Sequence, residues 1–164
     1  SISDRMEIEI ANYLTFVSEG RLSSESKEEI RTMLRAVTEI ESIAGSCNNL
    51  ARAIRRRNEG KGEFTEMLNH NMDQMFAIVD ESIKQMNIVL HKAEVVHDDI
   101  NVSYNIENEI NNYRNQLKIK NMEDINLKQY DYQVGVYYMD MVAECEKLGD
   151  YVINVVQAVV EKKI

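Results

Sequence analysis

Apolar residues recur at helical spacing along almost the whole chain. The most regular stretch alternates gaps of three and four residues, the pattern of a helix packed inside a bundle. Its methionines are typical of adaptable core packing. The sequence therefore predicts a buried helix carrying Leu68, Met72, Met75, Val79, Ile83, Met86 and Leu90.

Four other segments share this periodicity, so five helices are predicted, with ends marked by local signals. The stretch Ser23-Ser24-Glu25-Ser26 offers N-cap side chains for the second helix, and Gly20 has the residue type that ends a helix in a left-handed conformation. A polar, glycine-containing linker covers 58–62, and short turns are expected at 91–94 and 120–123. The other predicted helices cover about 2–17, 24–57, 95–118 and 126–162.

Each of these helices has its own predicted core stripe. The stripes are Met6, Ile10, Tyr13, Leu14 and Val17 in the first helix; Ile30, Leu34, Val37, Ile40, Ala44, Cys47, Ala51 and Ile54 in the second; Val102, Ile106, Ile110, Tyr113 and Leu117 in the fourth; and Tyr138, Val142, Cys145, Gly149, Val152, Val156 and Val159 in the last.

Composition supports an all-α fold in one domain, residues 1–164. The chain has no proline, six glycines and a net charge of −9, from 19 basic and 28 acidic residues. An acidic chain repels phosphate backbones, so no nucleic-acid partner is expected. Cys47 and Cys145 stand in apolar patterns and are interpreted as buried free thiols of a cytosolic protein. No signal peptide and no apolar run of membrane-spanning length is visible.

Four arginines crowd the end of the second predicted helix. Basic side chains there complement the negative end of the helix dipole. Contact with an anionic membrane surface is the functional alternative. Both interpretations stay open for Arg52, Arg55, Arg56 and Arg57.

Glu146 and Asp150 are the most suggestive chemical feature. Residues four apart in a helix lie one above the other, and this pair stands just beside the apolar stripe. Two such carboxylates can serve one hard or borderline cation. The plain alternative is a solvated acidic face, which repels itself by only about 0.2–0.5 kcal/mol.

An internal repeat connects this pair to a second region. Residues 7–13 match 107–113 at five of seven positions, with an offset of 100. Residues 41–45 align with 146–150 at an offset of 105, which places a five-residue insertion in the second copy. The copies are predicted to span about 1–58 and 62–164. Because 62–92 has no counterpart, the first copy is expected to lack its leading helix.

The repeated acidic helix resembles the PhoU family of phosphate-signalling proteins. The sequence from Glu146 to Tyr151, followed by Asn154, is similar to that family's Glu-Arg-Ile-Gly-Asp-x-x-x-Asn signature. Residues 106–114 resemble a subgroup, the cytoplasmic PhoU-like tail of bacterial sodium/phosphate cotransporters of the Na/Pi type. The resemblance covers essentially the whole chain and implies an antiparallel all-α bundle of two PhoU-like repeats.

The resemblance also implies a role and a ligand. The role is non-catalytic regulation of phosphate uptake, at the cytoplasmic face, by a domain tethered through an upstream membrane domain in cis. A free-standing PhoU-type regulator is the alternative. The implied ligand is a divalent metal or iron, held by Glu146 and Asp150 and, in the first copy, by Glu41, where Gly45 replaces the family's aspartate.

Neighbouring carboxylates are expected to complete these sites. Glu107 or Glu109 could add a third ligand in the second copy, and Glu7 or Glu9 could join Glu41 in the first. With one ligand fewer at Gly45, the metal is expected at the second copy. An uncovered apolar surface on the shortened first copy predicts a homodimer.

Two other classes were weighed against this interpretation. A carboxylate-bridged di-metal enzyme uses two Glu-x-x-His elements, and the chain has one, Glu94 to His97, with His97 expected on the surface. A phosphotransfer domain would need a marked histidine among His70, His91 and His97, and none stands out. No nucleophile triad or phosphate-cradling glycine loop is present, so no enzyme is predicted.

Overall fold

The computed structural model describes residues 1–60, 62–92 and 94–163, with side chains described as far as Val160. The described chain is helical apart from its turns, which confirms the all-α prediction. The five helices are α1 (Ile2–Ser18), α2 (Ser24–Glu59), α3 (Glu66–His91), α4 (His97–Asn126) and α5 (Tyr132–Lys163).

α5 is the central helix of the bundle. It packs against α2, α3 and α4, and α3 also packs against α4, whereas α1 contacts only α2 among the described helices. Side-chain contacts fix the directions: Ser46 meets Glu144 and Glu39 meets Asn154, so α2 and α5 run antiparallel. The result is an antiparallel α3–α4–α5 bundle, extended by α2 along α5 and by α1 on α2.

Hydroxyl side chains of Ser1, Ser23 and Thr65 cap the first turns of α1, α2 and α3. The Ser23 hydroxyl accepts from the Ser26 amide at 3.1 Å, and the Thr65 hydroxyl accepts from the Leu68 amide at 3.2 Å. Each satisfies an amide that has no partner within the first turn of its helix. Of the N-cap candidates in the stretch 23–26, Ser23 is the residue that caps α2. Gly20 follows α1 as predicted, but it has no left-handed φ, so α1 ends without the expected glycine motif.

The boundary between α4 and α5 was predicted wrongly. α4 continues eight residues past Lys118 to Asn126, and α5 begins at Tyr132 instead of Asn126. The extra turns bury Asn121 and Asp124, polar residues that an apolar pattern does not recognise as core. Their polar groups are satisfied, because Asn121 accepts from the Tyr130 hydroxyl at 2.9 Å and Lys120 lies 2.8 Å from the Asp124 carboxylate.

The predicted core stripes hold best in α3 and α5. Leu68, Met72, Met75, Val79 and Met86 are buried, and so is the α5 stripe from Tyr138 to Val156. The methionines therefore fill the core, as predicted. Phe64 packs edge-on against Tyr138, with ring centroids 5.9 Å apart, and closes one end of this cluster.

The stripes predicted for α1 and α2 are largely wrong. In α1 only Leu14 is buried, and in α2 only Ile30 of the predicted set is buried, while Ile40 is exposed. α2 meets α5 through another face, which carries Ile43, Ser46, Leu50 and Ala53. Both sides of α2 have helical apolar spacing, and the position of α5 decides which side is covered.

The cysteines also differ from the prediction. Both are free thiols, as predicted, but Cys47 is exposed and only Cys145 is buried. Burial raises the pKa of the Cys145 thiol to about 12, with smaller contributions from Glu144 and Cys47.

No described helix combines the length and apolarity that crossing a bilayer requires.

α4 and α5 approach closely at Gly149. A Cβ placed on Gly149 would lie 2.9 Å from Cδ1 of Ile110, which is almost fully buried. A side chain at this position would therefore force a packed isoleucine to move. A Cβ placed on Gly45 of α2 would have open space around it, with no atom within 4 Å other than the nearby backbone of its own helix.

These two glycines give a matched test of the packing. Gly149→Ala is expected to destabilise the fold by about 1–3 kcal/mol through overpacking, partly offset by the better helix propensity of alanine. Gly45→Ala is expected to stabilise it by about 0.5–1 kcal/mol, because only propensity acts there. Urea unfolding monitored by circular dichroism measures both. Equal effects of the two substitutions would contradict the close approach.

Candidate functional site

The α4–α5 contact at Gly149 brings an acidic pair and a second polar face together. Glu146 and Asp150 flank Gly149 on α5, and Glu107, Asn111 and Arg114 follow one another at spacings of four and three on α4. Residues at these spacings share one side of a helix. Because the two helices touch through Ile110, these polar side chains border the same junction.

Arg114 is the main partner of Glu146. Its Nη2 donates to the Glu146 carboxylate, and the two side chains are 28 % and 24 % exposed. The Arg114 Nε is buried and has no hydrogen-bond partner. The ion pair is therefore one-sided and lacks the second bond that a fork-like arginine–carboxylate pair would have.

The other two carboxylates differ in their surroundings. Glu107 accepts from the Asn111 side-chain amide at 2.5 Å. Asp150 is exposed, but partial desolvation of its carboxyl raises its pKa; the negative charges of Glu146 and Glu107 raise it further, and Arg114 opposes them. The charges of both neighbouring carboxylates thus act on Asp150, and three of the four predicted metal ligands border this junction.

Glu41 lies apart from that junction, on the α1–α2 pair. A hydrogen bond with Asp4 raises the pKa of Glu41, as do burial and the charges of Asp4 and Glu7. Of the two predicted companions, Glu7 is therefore near Glu41. Glu9 instead borders a surface groove on the other side of α1, formed with Ile2, Arg5, Met6 and Ile10.

Glu109 also falls outside the acidic junction. It lines a cleft between α3 and α4 together with Gln74 and Tyr113. Glu109 therefore lies away from Glu146 and Asp150, because residue 109 is two positions from residue 107 and points to a different side of the helix. Glu107 is the α4 carboxylate that faces Asp150.

The acidic junction can attract a cation, but its carboxylates do not point at one common position. In the part of the chain that the structure describes, no three histidine, cysteine or carboxylate side chains are arranged to hold a metal ion. The carboxylate oxygens have the chemistry that hard cations prefer. One of them is already neutralised by Arg114, so a metal would have to displace this guanidinium.

Two residues of these acidic regions were missed from the sequence. Arg114 could have been found, because it follows Glu107 by seven residues, two turns along the same face of α4. Asp4 gave no such signal: its sequence counterpart is Tyr104, so the repeat itself hides it. Asp4 interacts with Glu41, the predicted ligand of the first copy.

The elements of the rival enzyme interpretation are also placed. Glu94 lies before α4 begins, and His97 is its first residue and is exposed. The two side chains therefore do not share a helical face, although His97 lies on the surface as predicted.

Comparison with family models, with curated proteins and with solved structures finds no match to this chain.

The raised pKa of Asp150 predicts a pH-dependent substitution effect. A carboxyl group whose pKa is higher in the folded state than its unfolded value of about 3.9 destabilises the fold as pH rises above that value. Asp150→Asn is therefore expected to raise the unfolding temperature at neutral pH and to have no effect near pH 3, where the carboxyl is protonated in both states.

Thermal unfolding of wild type and Asp150→Asn across this pH range, with a chelator present, measures the difference. The control is Asp73→Asn, which removes an exposed carboxylate on α3. A neutral-pH gain that also appears in the control would assign the effect to net charge. A loss of stability in Asp150→Asn would contradict the surroundings described for Asp150.

Proposed function

We propose that this chain is a non-catalytic regulatory domain linked to phosphate uptake. In this proposal it acts at the cytoplasmic face as the PhoU-like tail of a sodium/phosphate cotransporter, with the membrane domain as its partner in cis. The single observation that supports it most is that Glu107 of α4, about forty residues earlier in the sequence, borders the same helix junction as Glu146 and Asp150 of α5.

The proposed duplication has support from packing between α2 and α5. Asn154 donates to Glu39 at 3.1 Å, and Ser46 donates to Glu144 at 2.9 Å. Glu39 and Glu144 are equivalent under the offset of 105, so each copy uses the same glutamate toward the other. Superposition of residues 2–57 on 102–160 is expected to place Glu41 close to Glu146.

The acidic junction is proposed to bind a divalent cation. Glu146, Asp150 and Glu107 would hold it, and the cation would supply positive charge that relieves the repulsion raising the pKa of Asp150. Arg114 supplies part of this charge within the chain. Because its contact is one-sided, cation binding and the Arg114–Glu146 ion pair are expected to compete.

Arg114→Gln is the sharpest test of this competition. Removing the internal cation is expected to raise the affinity for Mn²⁺ by about tenfold, the effect of one charge-assisted hydrogen bond. Glu146→Gln is expected to abolish binding, because hard cations need several anionic oxygens. Calorimetric titration of the purified protein measures both variants.

Glu41→Gln is the matched control, since it removes an equivalent carboxylate from the α1–α2 pair. It is expected to leave Mn²⁺ affinity unchanged, because the proposed metal site lies in the second copy. Mn²⁺ binding that is lost in Glu41→Gln and kept in Glu146→Gln would place the metal site in the first copy and contradict the proposal. If none of the three substitutions changes binding, Glu146 and Asp150 form only a solvated acidic face.

Self-association is the second part of the proposal, and the exposed face of α1 supports it. Met6 and Ile10 are 59 % and 37 % exposed, whereas their sequence counterparts Ile106 and Ile110 are 6 % and 1 % exposed. α3 packs on α4, but no described helix other than α2 packs on α1. An apolar face of this kind is typical of an interaction surface, and we propose that a second copy covers it.

Met6→Glu combined with Ile10→Glu is expected to shift the protein from dimer to monomer, because two charges would have to be desolvated at the interface. Light scattering coupled to size-exclusion chromatography measures the mass. Ile119→Glu, at an exposed apolar residue of α4, is the control and is expected to stay dimeric. A wild-type protein that remains monomeric at high concentration would contradict this part of the proposal.

A further inference from the structure

A cationic cleft lies between α2 and α5, on a side of α5 about 100° around the helix from the acidic junction. It is open to solvent, with a volume of about 610 Å³. Three arginines of α2 and one lysine of α5 line it, in a chain whose net charge is −9. The cationic side chains are Arg52, Arg55, Arg56 and Lys147.

Two of the four cations are already engaged with acidic residues of the same cleft. Arg56 lies 3.7 Å from Asp140, and Lys147 lies 3.0 Å from Glu144. Glu144 is fixed in turn by the hydroxyl of buried Ser46, which donates to it at 2.9 Å. The two acidic side chains of the cleft therefore hold Arg56 and Lys147 in place. The charged residues that line the cleft have a net charge of +2, four positive minus two negative.

Arg52 and Arg55 are the two cationic side chains of the cleft that do not contribute to an ion pair within the described fold. Both are exposed, and neither forms an ion pair with any residue that the structure describes. The helix dipole does not account for Arg52, because its effect fades within the last turn and α2 continues seven residues to Glu59. The internal repeat does not require these cations either, since Gln157 and Val160 occupy the matching positions.

We propose that this cleft binds a phosphate group. Arginine presents planar donors that match phosphate oxygens in pairs, and two unpaired arginines are available on one helix face. A phosphate monoester carries about −1.5 to −2 charges at neutral pH, which complements the +2 of the cleft better than one carboxylate would. The group could belong to a soluble phosphate compound or to a lipid headgroup, since the recognition chemistry is the same.

This inference uses residues other than those of the proposed metal site, so either can fail alone. The test titrates the whole protein with inorganic phosphate and pyrophosphate, against sodium acetate at matched ionic strength. Arg52→Gln combined with Arg55→Gln is expected to weaken phosphate binding by at least about tenfold. Circular dichroism and the unfolding temperature check that this variant remains folded.

Arg21→Gln combined with Arg31→Gln is the matched control. It removes the same charge from exposed arginines near the start of α2, of which Arg31 forms an ion pair with Glu28 at 3.1 Å. Arg31 lies about 30 Å along the helix from Arg52, well beyond the reach of direct contact. Its phosphate affinity is expected to stay within about twofold of wild type, because salt screens charges at that distance.

Vesicles distinguish the two sources of the phosphate group. Phosphatidylcholine vesicles containing phosphatidic acid present a phosphate monoester, and vesicles containing phosphatidylserine present anionic charge without one. Binding of soluble phosphate alone assigns a soluble compound, and binding to phosphatidic acid but not phosphatidylserine assigns a headgroup, provided Arg52→Gln/Arg55→Gln abolishes it. Equal binding to both vesicles, no binding of any probe, or binding that the double variant retains would overturn the proposal.

Discussion

The close contact between α4 and α5 at Gly149 is the constraint on which the rest of the structure depends. With no side chain at this position, Ile110 can pack directly onto the α5 backbone. That contact closes the α3–α4–α5 core and sets the acidic side chains of α5 beside the polar face of α4. The same glycine that allows dense packing therefore also assembles the candidate site.

α5 separates two regions of opposite charge because its polar residues occupy different faces. Glu146 faces α4 and the arginine on it, while its neighbour Lys147 faces the cleft shared with α2. Adjacent residues differ by about 100° around a helix, so one short segment can serve both sides. A buried, central helix thus connects an acidic junction to a cationic cleft through a few side chains.

Buried polar groups make this packing specific. Ser46 ties α2 to Glu144, and Asn121 ties the end of α4 to Tyr130. A hydrogen-bonded polar residue can stay in the core, whereas an unsatisfied one costs about 1–3 kcal/mol. Such pairs therefore fix how neighbouring helices are aligned, which apolar contacts alone define less sharply.

The sequence by itself determined the helical class, the number of helices, the core stripes of α3 and α5, and the proximity of Glu146 and Asp150. These follow from local periodicity and from spacing within one helix. The sequence also identified Glu107 as one of two candidates for a third metal ligand. Arg114 was missed, although its spacing of seven residues from Glu107 places both on one face of a helix.

Only the tertiary structure decided which side of α2 is buried, where α4 ends, and which carboxylates meet. α2 has apolar residues on more than one side, and the position of α5 selects Ile43 and Ala53 over Ile40. Asn121 and Asp124 interrupt the apolar pattern yet are buried, because Tyr130 in the turn after α4 satisfies Asn121 and Lys120, one helical turn earlier, satisfies Asp124. Spacing along a chain fixes the faces of each helix, but the partner that covers a face is a property of the whole bundle.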